Sequence, residues 1–78
     1  MPRVAVPGQF RFFFYSSDCA EAPHVHVRHE RHMAKLWLDE DVSLAQNDGF
    51  DGRELRQIRR LVMQHRRDLL HAWSKHCG

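Results

Sequence analysis

Cysteine is scarce here: 78 residues carry two, Cys19 and Cys77, with no Cys-x-x-Cys pair. A small secreted domain held by disulfides would usually carry more. Both thiols are therefore expected to stay reduced and to be structural or incidental. Long apolar runs are also missing, and none approaches the ~20 residues that cross a bilayer. The opening stretch MPRVAVPG lacks the apolar core of a secretory signal. The expectation is a cytoplasmic protein with no membrane partner. Charge of one sign is not in excess: the net charge is +2, which does not by itself announce nucleic-acid binding. No repeat or low-complexity segment appears. The 42% hydrophobic content is that of a folded chain rather than a disordered tail.

Such a length makes one small domain, residues 1–78, of marginal intrinsic stability. Residues 1–9 read as a short lead with Pro2, Pro7 and Gly8. FRFFFYS, from Phe10, reads as a buried strand. HVHVRHE and MAKLWLD alternate with the strand period, and a short fourth strand is expected around 42–45. The sheet thus spans about 10–46. Asp51 and Glu54 have the spacing of a capping box. Leu55, Ile58, Val62, Leu69 and Trp73 then recur at helical spacing. One helix over about 52–76 would be about 36 Å long, and Gly78 stands where it should stop. The architecture is α+β: a three- or four-stranded antiparallel sheet with one long C-terminal helix packed on one face.

What the chain has in abundance is histidine, seven in all, four of them in APHVHVRHERH at 22–32. Strand alternation puts Val25 and Val27 on one face, and His24, His26 and Arg28 on the other. A two-residue turn at Glu30 and Arg31 sets His26 opposite Lys35 and His24 opposite Trp37, and keeps both apolar sets together. In the first strand Phe10, Phe12 and Phe14 face the helix. The uncovered face is then expected to show Arg11, Phe13, Tyr15, His24, His26, Arg28, Lys35 and Trp37. Exposed rings among basic groups suit an interaction surface.

Three chemistries fit that face. His24 and His26 could act as general acid and base on a phosphodiester, with Arg28 or Lys35 steadying the charge, as in a metal-independent ribonuclease. They could share a metal, but a third ligand would be needed. Asp18, Cys19, Glu21 and His32 lie nearby in sequence without recognisable spacing, and Arg28 and Lys35 would repel a cation. No metal or other cofactor is therefore assigned. Alternatively Phe13, Tyr15 and Trp37 could stack on RNA bases or form a protein interface. Arg53, Arg56, Arg60 and Arg67 share a helix flank that could grip a phosphate backbone, though a solvated face is the default. His65 falls in the apolar stripe and reads as a partly buried residue bonded to the sheet. His32, His71 and His76 read as surface residues.

FRFFFYSSD, PHVHVR, AKLWLDEDVSLAQNDGF and LLHAWSKHCG together resemble domain-of-unknown-function family 4160, a set of small bacterial proteins. The combination of Pro-His-Val-His-Val at 23–27 with Ala-Lys-x-Trp-Leu at 34–38 carries the resemblance. SSDCAEAP departs from it in Cys19. The resemblance implies no catalytic assignment. It implies a small partner protein, of unknown-function family 2442, encoded beside it in a toxin–antitoxin-like pair. It places its hallmark on Pro23, His24, Val25, His26, Val27, Lys35 and Trp37. The resulting expectation is half of such a pair, acting through the His/aromatic/basic face, with RNA as the candidate target. The alternatives are a protein-interaction module or homodimer, and a metal-binding protein using His24 and His26.

Overall fold

A computed structural model describes residues 3–4 and 8–78. Its sheet is an antiparallel meander in which each strand pairs with its sequence neighbours. Four strands form its body: β2 (Arg11–Phe13), β3 (His24–His29), β4 (His32–Trp37) and β5 (Leu44–Asp48). A two-residue β1 (Arg3–Val4) adds to the edge of β2, in a stretch expected to be only a lead. The rest of that lead, apart from Gly8 and Gln9, lies outside the described residues. The last strand falls slightly later than the expected 42–45. Val42 instead occupies the turn before it, fully buried and with a φ of 50°.

The β3–β4 register is the expected one, with His24 opposite Trp37, Val25 opposite Leu36 and His26 opposite Lys35. Apolar patterning sets it, since a one-residue slip would turn Val25 and Val27 out to water. The core joins Phe10, Phe12 and Phe14 to Val25, Val27 and Leu36 beneath Ile58, Val62, Leu69 and Trp73 of the helical layer.

That layer occupies the expected range but is not one helix. It divides at His65 into α1 (Gly52–Gln64) and α2 (Arg66–Cys77). No proline or glycine lies at the break, and the His65 N–H still donates to the Leu61 carbonyl at 3.0 Å. α2 is held at both of its ends. Arg66 donates to the carbonyls of Asp39 and Leu38 at 2.9 and 3.2 Å, while Cys77 is bonded to Cys19. His65 is half-buried at that bend, and no described hydrogen bond ties its ring to the sheet. The start of α1 is as expected: Asp51 accepts from the Glu54 N–H at 2.8 Å, and Glu54 from the Asp51 N–H at 3.2 Å.

The disulfide corrects the expectation of two reduced thiols. Cys19 and Cys77 are 58 residues apart in sequence, and their Cα atoms lie 5.4 Å apart. Spacing along the chain carries no sign of this, because α2 returns to the loop after β2.

Candidate functional site

That loop decides what the second sheet face can do. After Tyr15 the chain makes a 3-10 turn, Ser16–Ala20, that folds back over the histidines. The Tyr15 N–H donates to Asp18 Oδ2 at 2.7 Å and locks the turn. Asp18 then faces two histidines at once: Oδ1 is 3.2 Å from His24 Nε2, and Oδ2 is 3.1 Å from His26 Nε2. The carboxylate is itself buried. Burial would raise its pKa, but the Tyr15 N–H and the His26 and His24 rings more than offset this and hold it below the usual carboxylate value. For His26 burial wins over the pull of Asp18, and its pKa lies below the usual imidazole value.

His24 was expected on an open face and is fully buried. Its ring packs between Trp37 and Trp73, with centroids 5.5 and 5.0 Å away. The Nδ1–H donates to the Ala22 carbonyl at 2.8 Å. His26 retains 14% side-chain exposure. Phe13, also expected outside, is buried, with its ring stacked on His26 at 5.6 Å. Only Tyr15 of the first-strand rings stays open, at 37%. Trp37 is half-buried, with the Lys35 ammonium 4.7 Å above its ring. His24 and His26 thus converge on a buried carboxylate and do not present two free imidazoles to a substrate.

What remains open on this face is basic and polar. Arg11 stands directly across from Arg28. Both are exposed, and no ion pair among the described residues engages either. With Gln9, His29 and Glu30 they line a hollow of about 510 Å³. A second hollow of about 210 Å³ lies between Tyr15, His26, Met33, Lys35, Gln46 and Asp48. Lys35 is tied to Glu21 at 2.7 Å, and that ammonium pulls the Glu21 pKa down.

Two further histidines, His76 and His32, are also more engaged than expected, whereas His71 is exposed as expected. His76 donates through Nε2–H to the Tyr15 carbonyl at 3.0 Å and stacks on Phe14. His32 packs edge-on against Phe50. Asp18 is the residue that sequence reasoning undervalued. From the sequence it is one of several nearby ligand types without recognisable spacing, and its one local signal is the position three residues after Tyr15, which suits a turn.

The fold and this buried carboxylate–histidine cluster define a small α+β domain with one covered and one partly open sheet face. The chain belongs to the family described as a domain of unknown function, DUF4160, whose model matches residues 10–74. No curated protein and no solved structure matches it. No helix among the described residues is long and apolar enough to cross a membrane.

Proposed function

We propose that the domain binds single-stranded RNA across the open part of its sheet, as one half of a toxin–antitoxin-like pair. The observation that carries this reading is the Arg11–Arg28 pair. Like charges directly opposite each other across a strand pair destabilise a sheet, and a phosphate between them would turn that repulsion into attraction. Tyr15 lies further along the same face, as a ring on which a base can stack. Binding is favoured over two-histidine cleavage because His24 is sealed from any substrate.

Fluorescence anisotropy with a labelled single-stranded RNA tests the reading. Wild type should bind at low salt, and Arg11→Ala/Arg28→Ala should bind more weakly. Two lost phosphate contacts should also flatten the dependence of log K on log salt by about 1.4. Equal binding and equal slope would remove the proposal. Growth arrest on induction in a bacterial host lacking the partner gene tests the toxin half. Arrest by wild type and not by the double variant, at matched soluble expression, is the expected result.

A second reading, an interaction module, rests on β5. This strand ends the sheet, all five of its residues are exposed, and Leu44 keeps 47% of its surface in water. Unpaired edges of this kind template strand addition. A homodimer built there should sediment as a dimer and dissociate in Leu44→Lys.

A further inference from the structure

We infer that Asp18, His24 and His26 together bind one divalent transition-metal ion, of the class of zinc, that pins the 3-10 turn onto β3. The inference is independent of RNA binding and rests on three observations.

The first is convergence. One donor atom from each residue lies within 4.8 Å of the others. A single Asp18 oxygen, Oδ1, stands 3.2 Å from His24 Nε2 and 3.3 Å from His26 Nε2. Ligands held at ~2.0–2.1 Å around a tetrahedral ion sit about 3.3 Å from one another. The side chains are therefore already spaced as a ligand set.

The second is an unsatisfied atom. His24 Nδ1 donates to the Ala22 carbonyl, so whenever the ring is neutral its lone pair is on Nε2. That atom is buried and has no hydrogen-bond partner, although a carboxylate oxygen lies 3.2 Å away. In a neutral ring two acceptors would face each other at that distance. A positive centre, either a second ring proton or a metal ion, therefore belongs between them, and metal titration separates the two. A backbone carbonyl on the far nitrogen is the usual way a metal-binding histidine is oriented.

The third is that the objections to a metal lapse. A third ligand was missing, and Asp18 supplies it from the turn. Nearby cations were expected to repel an ion, but Lys35 is paired with Glu21, and the Arg28 Nε–H donates to the Glu30 carbonyl toward the hairpin end. Two imidazoles and one carboxylate suit zinc and its neighbours better than calcium or magnesium, which prefer all-oxygen sites. His26 is the member that solvent reaches, so any exchangeable fourth ligand enters from its side.

The test uses the full chain without an affinity tag, stripped with chelator and titrated with zinc and, separately, cobalt(II). Wild type should take up one ion per chain, and its cobalt form should show visible d–d bands. Asp18→Asn and His26→Ala should each weaken uptake by more than the ~10–100-fold lost when a ligand's own hydrogen-bond partner is removed. His26 is only partly buried, so His26→Ala should keep its far-ultraviolet circular dichroism even if Asp18→Asn does not fold. Cys19→Ser/Cys77→Ser should bind as wild type does. Folded wild type that takes up no ion overturns the inference. So does uptake unaffected by His26→Ala. Uptake that appears only after the disulfide is reduced and is lost with the cysteines also overturns it, because it would move the site to Cys19, His76 and Cys77, the other convergent group.

Discussion

Gly49 shows how much of this molecule turns on single atoms. Its φ is 105°, and a Cβ there would run into the His32 ring. Only glycine accepts both conditions without strain. Gly49→Ala should cost about 1–3 kcal/mol in urea unfolding, and wild-type stability in that variant would refute the contact. Glu30 poses the opposite case. It holds a φ of 56° in the hairpin turn with no steric need for a side chain. Glu30→Gly should leave stability unchanged or raise it by up to about 1 kcal/mol, read as a shift in the urea midpoint. The loop NDGFDG around Gly49 is legible from its residues, and the His32 contact is not. His32 reads as a surface residue from the sequence, because nothing local shows that Gly49 and Phe50 return beside it.

At the scale of elements, the strands and the α1 start were legible because period and capping are local properties. Val25, Val27, Leu36, Ile58, Val62 and Leu69 all fall where alternation or helical spacing puts them. Leu69→Ala should therefore cost about 2–5 kcal/mol, as for other buried leucines. The loop from Leu38 to Ser43 was less legible, because long-range bonds build it. Arg59 reaches the Asp41 carbonyl at 2.8 Å, and Arg66 reaches Asp39 and Leu38. Within the loop the Ser43 hydroxyl and N–H donate to the Asp39 carboxylate at 2.8 and 3.1 Å. These bonds, the hydroxyl first, hold the Asp39 pKa below the usual carboxylate value. Its contribution to stability is thus present above the ordinary carboxylate pKa and is lost as pH falls through the depressed one. Carboxylate titration by NMR should find Asp39 titrating low, and Ser43→Ala should bring it back toward normal.

For the whole molecule, the Cys19–Cys77 bond closes a loop of 58 residues. Chain-entropy arguments give about 4 kcal/mol for a loop of that length, a large share for a domain this small. Cys19→Ser should lower the thermal midpoint markedly, and reductant should do the same to wild type. If reductant leaves the midpoint unmoved, the bond is not formed in solution. The ends of α2 and of the 3-10 turn also meet through His76 and Tyr15, so the variant should remain folded near the sheet.

The sequence by itself determined the α+β class, the β3–β4 register, the core face and the capped start of α1. Each follows from residues within a few positions of one another, through side-chain period and local hydrogen bonding. Only the tertiary structure decided that His24 is buried, that Asp18 joins it to His26, that Phe13 is covered and that the two cysteines meet. Those outcomes depend on where the loop after Tyr15 and the end of α2 return in space, and packing against the finished sheet sets that return.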